Sequence, residues 1–289
     1  MYKAIIMKWI SVLLSGLISI LASITAFSQS STVECLYEFH YVNDTTAVKM
    51  TKGGIVESGD STKIATDRFF LDCGGSVSLF YSYDRMLADS VWKANKLAGK
   101  PSYSGYKGNV FGSNQKIYKD FTNNSLTLVD KISKDSFKVD EELPEFNWVL
   151  CDEWKEISQY KVRKATCSFR GRDYEAWYAP DIPISDGPWK FRGLPGLIFE
   201  VYDIPCFYYY CLTGIQMKEK SLEYPGQNTI KINLKKYYDT KRRYLENPVL
   251  YISSTYGGPV TAQDRDGNPI NPEKLAKTLR YDFQETSFK

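Results

Sequence analysis

The sequence predicts a mainly β protein of the α+β class: a large curved antiparallel sheet or open barrel with one or two helices. Three observations carry that expectation. Aromatic residues make up 15% of the chain, 22 of them tyrosines, and tyrosine, with its apolar body and polar tip, suits the pleated face of a sheet. Short runs rich in β-branched and aromatic residues recur, separated by clusters of Gly, Asn, Asp and Ser, as strands joined by turns are. One stretch alone shows a clear helical period in its first half, so helices are few. Consecutive antiparallel strands with so little helix must bury their faces by curling on themselves.

In chain order, strands are expected over residues 33–41, 69–73, 77–83, 117–121, 126–132 and 137–139. Breakers such as Gly53-Gly54, Gly74-Gly75 and Asn123-Asn124 lie between them. A helix is expected over residues 84–98, where Leu87, Val91, Ala94 and Ala98 recur at helical spacing and Gly99 and Pro101 close it. A hairpin is expected to turn at Gly171-Arg172 in a type II′ geometry. In that register Ala165, Cys167 and Phe169 oppose Tyr178, Ala176 and Tyr174 on an apolar face, and a one-residue slip would exchange the faces. Residues 198–202 and 207–212 form another hairpin around 203–206, and alternating Ile230, Ile232 and Leu234 mark a further strand. A second helix is expected over 273–279, after Pro272. No linker tract or repeat divides the chain, so residues 29–289 are expected to be one domain.

Residues 1–28 have the layout of a secretory signal peptide: Lys3 and Lys8, an apolar run from Trp9 to Phe27, and small residues before Gln29. The chain is therefore expected in the periplasm or secreted, and not as an integral membrane protein once the leader is removed. The formal net charge is +3, two units of it from the leader lysines, and so balanced a surface excludes nucleic acid as a partner. Six cysteines, Cys35, Cys73, Cys151, Cys167, Cys206 and Cys211, allow up to three disulfides in an exported chain, a short Cys206–Cys211 bridge among them, or buried free thiols.

Residues 187–201 read Gly-Pro-Trp-Lys-Phe-Arg-Gly-Leu-Pro-Gly-Leu-Ile-Phe-Glu-Val and contain the string GLPGLI. Before it stand FNWVLCDEWKEI (146–157), Lys164-Ala165-Thr166, Phe169-Arg170-Gly171-Arg172, Glu175-Ala176-Trp177-Tyr178 and Ile182-Pro183-Ile184. In order and spacing, residues 146–214 resemble the GLPGLI family of secreted bacterial envelope proteins, a family with no assigned activity. Where relatives carry a cysteine before the Lys-Ala-Thr triplet, this chain has Tyr160-Lys161-Val162-Arg163, and its cysteine is Cys167. Strand order and compartment add an analogy with the lipoprotein carriers of the bacterial periplasm, whose bent sheet wraps over a helix.

Pro180, Pro183, Pro188 and Pro195 make the signature an ordered loop rather than a strand, because proline lacks the amide a ladder needs. Its apolar residues are too many to leave in water. As a plug, Gly193, Leu194, Pro195, Gly196, Leu197 and Ile198 would cap the open end of the barrel, with Pro195-Gly196 at the centre of a type II turn. As a lid, Trp189 and Phe191, with the cations Lys190 and Arg192, would line a binding rim.

Catalytic sets are missing. The single histidine, His40, sits among aromatics, no G-x-S-x-G elbow accompanies it, and no short-spaced Cys/His pair or phosphate loop occurs. Asp264, Asp266 and Asn268 open like a calcium loop but lack its closing glutamate. No cofactor and no metal are expected. The reading is a non-catalytic envelope protein binding an apolar small molecule, lipid or envelope protein. The alternative is a carboxylate-based hydrolase of envelope glycans, drawing on Asp173, Glu175, Asp181, Asp186, Glu200 and Asp203.

Overall fold

The computed structural model describes residues 29–42, 49–50, 56–57, 64–100, 112–204, 206–258, 262–263, 269–271 and 283–287. The leader, the Gly53-Gly54 breaker, the expected helix at 273–279 and the Asp264–Asn268 turn lie outside them.

The elements are β1 (Gln29–Val42), β2 (Lys49–Met50), β3 (Val56–Glu57), β4 (Ile64–Gly74), β5 (Val77–Ser82), α1 (Tyr83–Leu97), β6 (Lys116–Asp120), β7 (Ser125–Ile132), β8 (Asp135–Glu142), β9 (Val149–Ile157), β10 (Tyr160–Phe169), β11 (Arg172–Ala179), β12 (Leu197–Asp203), β13 (Tyr208–Leu222), β14 (Ile230–Lys231), α2 (Leu234–Glu246), α3 (Pro248–Tyr256), β15 (Ala262–Gln263) and β16 (Pro269–Ile270). Twelve strands form one open sheet in the order β14-β8-β7-β6-β5-β4-β1-β13-β12-β11-β10-β9. The protein is thus mainly β, with three helices among the described residues. Every pair is antiparallel except β14 with β8. Two meanders, β4–β8 and β9–β13, meet on either side of β1, which is therefore the middle of the sheet.

Along β1 the side chains alternate between faces. Cys35 and Tyr37 enter the core, while Glu38 and His40 lie on the other face and are half-buried. The sheet curves enough to bring its ends together. Trp148, just before edge strand β9, donates its indole N–H to the Arg192 carbonyl (2.8 Å), and Arg170, after β10, reaches Glu141 of β8 (2.6 Å). Two-residue I′ turns, which match the right-handed twist of the strands, close β9–β10 at Ser158-Gln159 (φ 48° and 72°) and β10–β11 at Arg170-Gly171 (φ 44° and 87°).

That second turn corrects the expected hairpin. The turn lies at Arg170-Gly171, and the register pairs Cys167 with Tyr174 and Ala165 with Ala176, two residues from the pairing expected. A two-residue shift keeps every side chain on its face, so hydrophobic alternation is blind to it. What fixes it is distant: the Thr286 and Ser287 amides donate to the Arg170 carbonyl, and the Arg170 guanidinium is held by Glu141 and Glu285.

Helix α1 forms where expected. The Ser82 side chain caps it by accepting the Arg85 amide (3.0 Å), but Ala94 is exposed, and the helix buries Asp84, Ala88 and Asn95. The expected strand through Leu234 is only Ile230–Lys231; Asn233 accepts the Lys236 amide (2.8 Å) and starts α2 instead. Helix α2 buries Tyr237 and Tyr238, whose rings meet edge to face with centroids 4.8 Å apart. Helix α3 begins with Pro248 at its first turn behind the Asn247 cap. No described helix is long and apolar enough to cross a membrane.

Candidate functional site

The loop between β11 and β12 carries the signature and folds inward. Its backbone is tied by Gly193 N–H to Ser185 O, Leu197 N–H to Ile182 O and Ile198 N–H to Asp186 O. Two lysines fasten it. Lys119 of β6, with no exposed surface, donates to the Asp186 carboxylate and to the carbonyls of Gly187 (2.9 Å) and Phe191 (3.3 Å). Lys190, also without exposed surface, donates to Glu141 and to both oxygens of Glu285 (2.9 and 3.0 Å). Arg170 joins the same two carboxylates, so two cations balance two anions, as buried charge requires. Burial works to raise the Glu141 carboxyl, but Lys190 and Arg170 outweigh it and hold it below its usual range.

This placement corrects the expected rim. Trp189 is 1% exposed and Phe191 is fully covered, packed on Phe146, Tyr174 and Tyr210. Only Arg192 of the four is half-buried, lying over the Phe121 ring. Lys190 is interior because distant acids, one on β8 and one near the C-terminus, replace its water. Leu194, Leu197 and Ile198 are buried as well, while Gly193 and Pro195 are exposed. The turn at Pro195 is not type II: the Gly196 amide bonds back to Leu194 O (2.8 Å), a three-residue turn, with Gly196 at φ 154°. A Cβ on Gly196 would overlap the backbone of Ala179, so the chain passes there only without a side chain.

Behind Trp189 lies a cavity of about 460 Å³. Phe39 and Tyr41 of β1, Phe69 of β4, and Tyr208 and Tyr210 of β13 form its sheet wall. Tyr238, Lys241 and Leu245 of α2, with Phe283 and Gln284, form the opposite side. The rings stack: Phe39 lies 4.2 Å from Tyr210 and 6.1 Å from Tyr208, both nearly parallel. Polar groups are few and mostly occupied. The Tyr210 hydroxyl donates to Gln284 (3.0 Å), and Lys241 donates to Asp130 (2.7 Å). Asp67 accepts from Ser82 Oγ (2.8 Å) and the Ser113 amide (2.7 Å), yet burial pushes its carboxyl up to about 6.

A second cavity, about 450 Å³, lies under the loop between Pro183–Asp186, Arg192, Phe121 and the Gly74-Gly75 turn. Asp186 Oδ2 and Arg192 Nε are buried beside it without a protein partner, a polar lining that suits water.

The six carboxylates near the signature do not converge on a reaction centre. Asp186 is held by Lys119, Asp203 by Arg172, Glu200 by Lys155 and Glu175 by Lys164, while Asp173 takes the Ser168 hydroxyl and Asp181 is exposed. None of the six cysteines is joined in a disulfide, so no Cys206–Cys211 bridge closes the β12–β13 hairpin. Burial pushes the Cys167 and Cys206 thiols up to about 12, which makes them poor nucleophiles.

Sequence reading did not find Asp67, Tyr238 or Gln284, because each reaches the cavity only through pairings distant along the chain. The α2 tyrosines had a local signal, Tyr237-Tyr238 after the Asn233 cap, hidden among lysines and arginines.

Fold and cavity together define a class: an open twelve-stranded β-sheet protein with its signature loop folded inward and a half-open, aromatic-walled cavity beside it. Residues 169–200 match the model of a family described as a protein of unknown function, Porph_ging. Among curated proteins none matches the chain. Two solved structures of PNGF-II, in the C2 and P21 space groups, are similar to it with TM-scores of 0.46 at 16% and 14% identity, covering 72% of this chain and 32% of theirs. The chain thus spans about a third of the length of those chains, and a likeness of that degree carries no functional argument.

Proposed function

We propose that this is an exported cell-envelope protein of the GLPGLI kind, periplasmic or secreted, that holds an apolar small molecule and catalyses no reaction. The observation that carries the reading is the chamber of about 460 Å³ walled by eight aromatic residues. Ligand sites of this type are concave, mostly apolar and roughly 300–1,000 Å³. A volume near the lower end favours a compact ring compound over a two-chain lipid. The walls are preformed by stacked rings, so little ordering opposes binding. The hydrolase reading gains no support from carboxylates of which five hold local partners and the sixth, Asp181, stands apart and exposed.

The test combines two measurements on protein purified from the periplasm of its producing cells. Solvent extraction and mass spectrometry should find an apolar compound bound in stoichiometric amount. The dye 1-anilinonaphthalene-8-sulfonate should bind the emptied protein and be excluded by Leu245→Trp, which fills the chamber from α2. Absence of any bound compound, together with dye binding indifferent to Leu245→Trp, would overturn the proposal.

A further inference from the structure

The face of the sheet opposite the chamber brings a carboxylate, an imidazole and a thiol together. Glu38 and His40 are two residues apart on β1 and so share a face. Cys211 of β13 lies directly opposite Glu38, and Thr66 of β4 directly opposite His40. A carboxylate oxygen of Glu38, an imidazole nitrogen of His40 and the Cys211 sulfur all lie within 4.8 Å of one another, and all three residues are half-buried.

The imidazole is oriented from behind. His40 Nδ1 meets Thr66 Oγ1 at 3.0 Å, and Tyr209 stacks on the ring with centroids 5.8 Å apart and planes 19° from parallel. With the ring proton on the Thr66 side, Nε2 keeps its lone pair and faces a Glu38 carboxylate oxygen at 3.5 Å. That gap holds either the ring's own proton, with the Thr66 hydroxyl then donating to Nδ1, or a metal ion, with the ring proton on Nδ1 donated to Thr66. Tetrahedral zinc, with bonds of about 2.0–2.2 Å to nitrogen and oxygen, sets those two ligand atoms about 3.4 Å apart. The spacing present already fits.

We propose that Glu38, His40 and Cys211 form a zinc site on this outer face, with Thr66 as the residue that orients the histidine. One thiolate, one imidazole and one carboxylate are a donor set for a borderline-soft divalent ion rather than for calcium or magnesium. Binding converts the Cys211 thiol to the thiolate and releases its proton to solvent. Three protein ligands leave a fourth position for water or a partner's donor group. Sequence spacing conceals the site, because it is assembled by the pairing of the first long strand with the last.

The test uses the full chain, stripped of metal and titrated with cobalt(II) and then zinc(II). One equivalent of cobalt should give a thiolate-to-metal charge-transfer band, and zinc should abolish it. His40→Ala and Cys211→Ser should lose the band with unchanged thermal melts, because neither side chain belongs to the core, while Cys151→Ser should keep it. Thr66→Val should keep the fold and weaken zinc about 10–100-fold, as loss of an orienting partner does. On the unmutated chain, zinc should shield Cys211 from alkylation mapped by mass spectrometry, so the result does not hang on any variant's folding. A band that survives Cys211→Ser, zinc affinity unmoved by His40→Ala, or equal alkylation of Cys211 with and without zinc overturns the site and leaves His40 as a hydrogen-bonding link between Thr66 and Glu38.

Discussion

Lys119→Met isolates what holds the signature loop inside the sheet. Methionine keeps the length and apolar stem of lysine but leaves the Asp186 carboxylate buried without its cation and the Gly187 and Phe191 carbonyls without a donor. Asp186 is 2% exposed, so water cannot replace the lysine unless the loop moves. Breaking one side of a buried pair costs about 3–5 kcal/mol, which at about 2–4 °C per kcal/mol for a chain of this size lowers the melting temperature by about 6–20 °C. Asp186→Asn in the same background removes the stranded charge, so the double variant should be more stable than the sum of the singles predicts, with a coupling of about 1–3 kcal/mol. Denaturant unfolding of the four proteins measures the cycle, and hydrogen exchange of residues 182–198 reports the loop itself. A Lys119→Met cost below about 1 kcal/mol, with unchanged exchange in that segment, would refute the claim that this lysine fastens the loop.

Three further outcomes follow from the same geometry. Gly196→Ala combines a backbone conformation reserved for glycine with overlap against Ala179, and should cost about 2–6 kcal/mol by denaturant titration; a neutral result would mean the loop does not pass there as described. Leu197→Ala and Trp189→Ala should cost about 2–5 and 3–5 kcal/mol of stability respectively, seen as lower melting temperatures, since both side chains are buried; a Trp189→Ala protein melting like the unmutated one would return Trp189 to a rim. Asp67 binds its proton more tightly folded (about 6) than unfolded (3.8), so its contribution to stability is full below pH 4 and is lost as the pH rises through 6. Asp67→Asn removes that dependence, and its stability relative to the unmutated protein should rise by up to about 3 kcal/mol between pH 4 and 7; parallel pH profiles would contradict the carboxyl's high pKa.

Much of the sheet was legible because alternation is local: residues 69–73, 117–121 and 126–132 fall inside β4, β6 and β7, with only Phe121 outside. What local pattern could not give was long-range partnership. Lys190 beside Trp189 reads as an exposed cation until Glu141 and Glu285 are brought to it by the closing curve of the sheet and the C-terminal segment. The hairpin turn went astray by one position because the faces of β10 and β11 are the same in either register, and the deciding contacts come from Thr286 and Ser287. Helix α2 hid for a different reason: its buried stripe is made of tyrosines in a sequence otherwise rich in lysine and arginine, so no aliphatic period marks it.

The central place of β1 sets an order of assembly. Each meander can zip up from neighbouring hairpins, which form in about 1–10 μs, but the halves are joined through β1 and β13, strands far apart in sequence that pair Gln29 with Leu222 and Tyr41 with Tyr208. Joining them demands closure of a very long loop, the kind of contact that slows β-rich chains. Until β13 is made, one side of β1 is an unpaired edge bearing aromatic side chains, open to pairing with another copy. A chain cut short before β13 should therefore be recovered as aggregate, with its first strand as the exposed seam, rather than as a smaller folded protein.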